Sequence, residues 1–195
     1  MARYGKEHKQ ATRQRITETA GRRFKRDGID GSGITTLMAD AGLTNGAFYA
    51  HFESKDDLVA EAITQMFVEG RQQHAAVTEG KPPAQALADY IDYYISKPHR
   101  DMPDAGCALP TLVTDLPRLS DQAKQAFGKG YSGLIMWVSR LLGELGHADP
   151  RSTASSVVSE MVGAVALARC IPDRERSDAL LESSRKSILA RLGLD

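Results

Sequence analysis

The chain has 195 residues, 26% of them charged and 42% in the hydrophobic set, with a formal net charge of zero. That is an ordinary globular mixture, long enough for one or two domains with a real core. Two cysteines, Cys107 and Cys170, provide neither a disulfide framework nor zinc-ligand spacing, so no metal or cofactor is expected. The start "MARYGKEHKQ" is polar, with no apolar segment behind it to resemble a signal peptide. The most apolar stretch, residues 157–168, is too short to span a bilayer and carries Glu160. The expectation is a cytoplasmic protein with no membrane partner.

The zero net charge hides an asymmetry. Residues 1–26 hold nine basic side chains (Arg3, Lys6, Lys9, Arg13, Arg15, Arg22, Arg23, Lys25, Arg26) against Glu7 and Glu18, a net of +7, so the remainder carries −7. A segregated basic end suits a polyanionic partner, whereas the acidic remainder argues against a general nucleic-acid coat. A solvated helix with a frayed basic tail accounts for the charge equally well.

Taken in chain order, the elements all read as helices, about nine of them, in an all-α chain. No alternating strand pattern stands out. The first helix is expected from about Lys9 to Arg26, with Ile16, Ala20 and Phe24 on one face and Gly28 as its stop. A second begins after Ser32, an N-cap candidate, and ends near Gly42. A short third runs from Thr44 to about His51. Ser54 and Asp57 have capping-box spacing, which opens a long fourth helix towards Ala76. Pro82 and Pro83 suit the first turn of a fifth, which Pro98 limits near Lys97.

A sixth helix is expected between Cys107 and Leu116, with Pro110 in its first turn or kinking it. Phe127, Tyr131, Leu134, Val138, Leu141 and Leu145 then repeat at helical spacing and mark the buried stripe of a seventh. Pro150 opens an eighth helix to about Cys170. A ninth spans Asp178 to Leu192. No internal repeat or low-complexity linker interrupts this order.

"ITTLMADAG" and "TNGAFYAH" are two short helices joined by a tight turn at Gly42–Leu43, behind a longer first helix. This is a helix-turn-helix arrangement, in which Gly42 can take the left-handed turn conformation. Leu37, Ala41, Leu43 and Phe48 would hold the two helices together above Phe24 and Ile16. Used on DNA, the arrangement sets the third helix in the major groove, with its free N–H groups and dipole towards phosphate.

Over residues 12–58, "TRQRITETAGRRFKRDGIDGSGITTLMADAGLTNGAFYAHFESKDDL" resembles the TetR/AcrR family of bacterial transcriptional regulators. Gly42, Tyr49, His51, Phe52, Lys55 and Leu58 stand where the family motif places them. Met38 departs from it, where a small alanine is usual. Beyond residue 60 the resemblance is one of architecture, with "GCALPTLVTDL" matching a segment in which relatives often show a Gly-Cys pair. The resemblance implies a DNA-binding domain over 1–53 (motif about 33–52) and an effector-binding and dimerisation domain over 54–195.

It also implies roles residue by residue. Thr44 would cap the third helix and touch phosphate; Tyr49, His51 and Lys55 would bind backbone phosphates. Asn45 would read adenine, whose N6 and N7 an amide can bond. Gly46 would let the helix approach closely, Ala47 would meet a thymine methyl, and Thr35 and Thr36 would reach phosphate. Arg3, Lys6 and Lys9 would form a flexible arm. Met66, Phe67, Tyr90, Tyr93, Tyr94, Cys107, Trp137 and Met161 on the middle helices are candidates for an effector pocket, although aromatics and methionines at such spacing are usually plain core. Small residues on the eighth helix, with Ala164 and Leu167 among them, would meet a second subunit.

The implied function is a ligand-responsive transcriptional regulator: a homodimer that represses from a roughly palindromic double-stranded operator and is released by a small molecule. An alternative is sensing of oxidants or electrophiles through Cys107, its thiol activated by the start of the sixth helix and by nearby His99 and Arg100. A helical ligand-binding protein without a DNA role leaves Tyr49, His51 and Lys55 unexplained. A hydrolase built on Cys107 with His99 or His74 lacks a nucleophile elbow and an orienting partner, so no enzyme is expected.

Overall fold

The structure, a computed structural model, describes residues 2–194, with side chains from Lys6 to Leu194. Among the described residues there are nine α-helices, two 3-10 segments and no strand. They are α1 (Ala2–Asp27), α2 (Ile34–Asp40), the 3-10 segment η1 (Asn45–Ala50), α3 (Lys55–Thr78), α4 (Pro83–Tyr94) and α5 (Lys97–Asp101). Then follow α6 (Leu109–Leu112), the 3-10 segment η2 (Leu116–Arg118), α7 (Asp121–Glu144), α8 (Pro150–Cys170) and α9 (Arg174–Leu192).

Local signals account for most of the boundaries. The Ser54 hydroxyl caps α3 by accepting from Asp57 N–H at 3.1 Å, while Asp57 accepts in return from Glu53 N–H at 3.3 Å. Asp149 and Asp173 cap α8 and α9 in the same way, through backbone N–H groups of the first turn. Gly42 sits at φ +67°, and the N–H groups of Gly42 and Leu43 close back on Ala39 and Met38 carbonyls, both at 2.9 Å. This Schellman closure ends α2 and turns the chain into η1.

Several boundaries differ from the sequence expectation. Ser32 is not a cap: it is buried and its hydroxyl donates to the Gly28 carbonyl, while Gly33 takes the N-cap position. Thr44 holds the N-cap position of η1 but its side chain makes no capping bond, and η1 is a 3-10 helix rather than an α-helix. Pro98 does not close the fifth helix. It lies in the first turn of α5, which Ser96 caps. The sixth helix shrinks to a single turn, and α9 starts at Arg174 because Asp173 caps it. The backbone of α1 is helical from Ala2, so Lys6 and Lys9 are borne on a helix and not on a flexible arm; the Arg3 side chain lies outside the described residues.

One continuous core joins the two halves. Ile16, Ala20 and Phe24 of α1 pack with Leu37, Met38, Phe48 and Phe52 into a small three-helix head. Met38 is fully buried there, so the head accommodates it in place of a smaller residue. The long helix α3 packs on α1 at its start and on α4 and α7 further along; α7 packs on α8, and α8 on α9. The head is therefore attached to the rest of the molecule through α3, by helix packing rather than by a linker.

Candidate nucleic-acid interface and cavity

The head presents Thr35 and Thr36 of α2, Thr44 and Asn45 at the turn, and Gly46 and Tyr49 of η1 to solvent. Tyr49 is 70% exposed, resting edge-on against Phe48 with ring centroids 5.2 Å apart. An exposed phenol beside a buried ring is a rigid hydroxyl donor facing outward. Ala47 is half-buried against the core, so it has less surface to offer a base than the sequence suggested. Because η1 is short and of 3-10 form, the helix-dipole contribution to phosphate binding loses its basis, and the side chains must carry the contact.

Two of the expected phosphate ligands have structural partners as well. The Lys55 ammonium donates to the Ile29 carbonyl at 2.8 Å, tying α3 to the α1–α2 loop and leaving two N–H groups. His51 is half-buried; desolvation, with Lys9, Arg13 and His8 adding repulsion, pushes its pKa down. Its buried Nδ1 has no partner. A neutral imidazole in that setting can still donate one N–H to a phosphate oxygen, which would relieve the crowding of positive charge.

The basic residues of α1 divide by role, a division that charge counting alone could not make. Arg13 clamps the head: it bonds the Glu61 carboxylate of α3 and the His51 carbonyl, and stands 4.2 Å over the Phe52 ring. Arg23 pairs with Asp27 and Asp40, and Arg26 with Asp27. Lys25 is buried; its ammonium donates to the Gly106 carbonyl at 3.2 Å and lies 3.8 Å from Glu69. Desolvation lowers its pKa. Lys6, Lys9 and Arg15 remain exposed towards the amino end.

Further along α3 lies a cavity of about 510 Å³ between α3, α4 and α7 and the segment before α6. Of the expected pocket residues, Met66, Phe67, Cys107 and Trp137 line it. Tyr90 and Tyr94 do not reach the surface of the cavity. Tyr90 lies behind it, its ring 4.6 Å from His74 and 4.9 Å from Trp137 by centroid, and neither tyrosine hydroxyl has a hydrogen-bond partner of good geometry. Tyr93 bonds Gln73 instead, and Met161 is core on α8. Sequence reasoning missed Gly70, His74 and Gly133, which also line the cavity. The available signal was glycine inside helical stretches, which is costly and usually has a packing or functional reason.

Cys107 corrects an expectation. Its pKa is raised, burial being the main cause, so the thiol stays protonated. Lys25 and Arg169 offset the burial only in part, and neither of the two residues invoked for it supplies a charge. Arg100 points to Asp101, Ser177 and Asp178, and His99 is neutral, with a pKa pushed down to about 4 by burial. His99 has a structural task. Its Nδ1–H donates to the Tyr94 carbonyl at 2.6 Å and its Nε2 accepts from Cys107 N–H at 2.9 Å, which fixes one tautomer.

The segment from Gly106 to Asp115 touches both sites. Cys107 and Ala108 line the cavity, while Gly106 receives Lys25 of α1. The Asp115 carboxylate accepts from Ile29 N–H at 3.2 Å. Of the two residues expected at a subunit interface, Leu167 is 59% exposed on α8, whereas Ala164 is buried within the subunit at 5%.

The profile described as "Bacterial regulatory proteins, tetR family" matches residues 16–62, the three-helix head and the start of α3. A TetR transcriptional regulator from Chloroflexus aurantiacus superposes along nearly the whole chain, with TM-score 0.82 and 21% identity over 96% of each chain. Residues 16–62 thus match the TetR family, and the rest of the chain shares the fold of a solved TetR regulator. Among its relatives, the HTH-type transcriptional regulator AcrR of Shigella flexneri is 41% identical over 61 residues, 31% of this chain and 28% of that protein. The repressor DhaR of Mycobacterium sp. is 27% identical over 56% of this chain and 54% of its own length. These two alignments thus span about a quarter and a half of the relatives' lengths. The regulator YfiR of Bacillus subtilis, itself uncharacterized, is 25% identical over 92% of this chain and 91% of its own. The reduced form of E. coli NemR shares the fold, with TM-score 0.79 and 21% identity over 91% of this chain and 95% of that one.

Proposed function

We propose that the protein is a ligand-responsive transcriptional repressor, with residues 1–53 as its DNA-binding unit and 54–195 as its effector-binding and dimerisation unit. The observation that carries this reading is the attachment of an exposed reading surface to a cavity through shared elements. Asn45 is the base reader, and Tyr49, His51, Lys55, Thr35, Thr36 and Thr44 supply phosphate contacts, with Gly46 allowing close approach. Helix α3 runs from Lys55 at the head to Met66, Phe67 and His74 at the cavity. The Gly106–Asp115 segment makes a second connection through Lys25 and Ile29. An effector that binds the cavity better in one arrangement of these elements shifts the head by that differential affinity.

Two subunits joined through α8 and α9, with Leu167 at the contact, would present two heads to a roughly palindromic operator. Half-sites would then lie about 34–36 Å apart or a multiple of that. With DNA as its partner the protein would act in the cytoplasm. Among the described residues no helix is long and apolar enough to cross a membrane. The relatives are regulators, and no catalytic step is assigned to this chain.

The test is a gel-shift titration on genomic fragments selected by the protein, with competitor DNA and varied salt. Tyr49→Phe should weaken binding to every sequence at an unchanged salt slope and unchanged stability, because the phenol is neutral, whereas Lys55→Ala should also flatten the salt dependence by about one ion. Asn45→Ala should change the preference among operators. Equal affinity and equal salt slope for wild type, Tyr49→Phe and Lys55→Ala would refute the assignment of the surface.

A further inference from the structure

The shape of the cavity follows from glycine positions on its two longest walls. Helices α3 and α7 touch closely at Phe67 and Gly130, where a Cβ on residue 130 would fall 2.1 Å from the Phe67 ring. Three residues further along each, just under one turn, they part. A Cβ at Gly133 would meet nothing within 4 Å, and one at Gly70 would meet only His74 Nε2, at 3.9 Å. Between bare backbone on both sides the space is a slot. His74 and Trp137 stand as plates in it, their ring centroids 5.5 Å apart and their planes tilted by 32°. A slot between helix backbones with aromatic plates selects for flat rings, which gain contact area and favourable ring geometry that a puckered molecule of equal size cannot.

The charge distribution is equally selective. Arg71, Glu79, Lys81, Arg140 and Glu144 are all exposed at the rim, where Arg140 lies 3.8 Å from Glu144 and Lys81 pairs with Asp89. Inside, the polar groups are neutral dipoles. His74 is held neutral by burial, with a pKa of about 4, and the Cys107 thiol is protonated. The buried cation Lys25 is outside the lining and is already bonded to Gly106 and beside Glu69. A ligand charge carried to this depth would lose its hydration without gaining an opposite charge.

Unmet hydrogen-bonding capacity marks where the ligand's polar group goes. Neither ring nitrogen of His74 is hydrogen-bonded among the described residues, and the hydroxyl of Tyr90 behind it has no partner. Native structures rarely leave a buried group such as the Tyr90 hydroxyl unpaired.

We propose that the cavity takes a flat, uncharged aromatic molecule of two or three rings, inserted between Gly70 and Gly133 and bonded by a hydroxyl or carbonyl group to His74. The inference deepens the repressor reading, and rests on it only for the consequence that such a molecule alters DNA binding. Hydrogen bonding to a neutral imidazole and stacking beside Trp137 supply the specificity, while the rim charges stay in water.

The probes are 2-naphthol, naphthalene, naphthalene-2-carboxylate and decahydro-2-naphthol, which vary the polar group, charge and flatness at nearly constant size. Calorimetry measures affinity on the intact protein, and emission of Trp137, the one tryptophan in the chain, reports the location. The expected result is 2-naphthol binding at least ~10-fold tighter than the carboxylate or the saturated alcohol, with Trp137 quenched. His74→Phe should abolish the preference of 2-naphthol over naphthalene. Gly133→Leu, and independently Gly70→Leu on the opposite wall, should remove binding with an unchanged helical circular dichroism spectrum.

Equal or tighter binding of the carboxylate or of the saturated alcohol overturns the proposal, as does failure of 2-naphthol to bind. Undiminished binding to both folded leucine variants overturns the site. Operator binding is measured on the same samples. Ligand binding without DNA binding sinks the repressor reading and leaves the ligand class standing; DNA binding without ligand binding does the reverse.

Discussion

Acid should loosen the segment that joins cavity and head, and His99 sets the size of the effect. The imidazole is buried with both nitrogens used: Nδ1 as donor to Tyr94 and Nε2 as acceptor from Cys107 N–H. A second proton on Nε2 would set two donors against each other in a buried space. The folded protein therefore holds His99 near pKa 4, against an ordinary value of 6.5. Since the folded pKa is depressed, the stabilisation is fully present above about pH 6.5. It declines as the unfolded chain takes up its proton below that, and is gone near pH 4. The drop corresponds to roughly 3 kcal/mol at its limit, of which roughly 2–3 kcal/mol is lost by pH 4.5. His74 acts with the same sign but less weight, because it is only half-buried and faces the cavity.

The measurement is urea unfolding at pH 7.0 and pH 4.5, at one protein concentration, for wild type and His99→Gln. Glutamine can accept from Cys107 N–H but takes up no proton. Its neutral-pH cost should be about 1–2 kcal/mol from imperfect hydrogen bonding. Its loss between the two pH values should be smaller than that of wild type by roughly 2 kcal/mol, since carboxylate titration is common to both. Identical losses would refute the view that a buried, neutral, doubly bonded His99 holds this segment.

Gly130→Ala and Gly128→Ala on α7 should move stability in opposite directions. Each gains about 1 kcal/mol of helix propensity, but Gly130→Ala also forces the Phe67 ring aside at about 2–3 kcal/mol, whereas a Cβ at 128 meets nothing. Thermal melts should separate the two by roughly 5 °C or more, and equal melting temperatures would contradict the close approach of α3 and α7. Leu167→Arg should shift the sedimentation of the protein from dimer to monomer and abolish cooperative operator binding, with its fold intact because the side chain is exposed. A wild type that sediments as a monomer at micromolar concentration would count against the assembly itself.

Features written within a few residues of each other were legible in the sequence. The turn at Gly42, the cap at Ser54, the stripe of α7 and both ends of α8 all follow from periodicity and capping chemistry acting over at most one helical turn. The core of the head was legible too, because apolar residues at helical spacing have little choice of face. So was the likeness of the head to the TetR family, since Tyr49, His51 and Lys55 form a local pattern. Local signals also misled. Ser32 has the chemistry of a cap, yet its hydroxyl found the Gly28 carbonyl first, and Pro98 began a helix where it was expected to end one.

What the tertiary structure alone decided depends on partners far along the chain. Nine basic side chains near the amino end look alike in sequence. Folding buries Lys25 against Gly106, locks Arg13 onto Glu61, and leaves Lys6 and Lys9 in water. Cys107 precedes a helix start and follows a histidine and an arginine, which suggested an activated thiol. Folding turns Arg100 away, holds His99 neutral and desolvates the sulfur, so its pKa rises. The cavity likewise depends on glycines from two separate helices, Gly70 and Gly133, that line it together. Propensity and capping are short-range, whereas desolvation and the room beside a backbone are set by whatever the fold brings alongside.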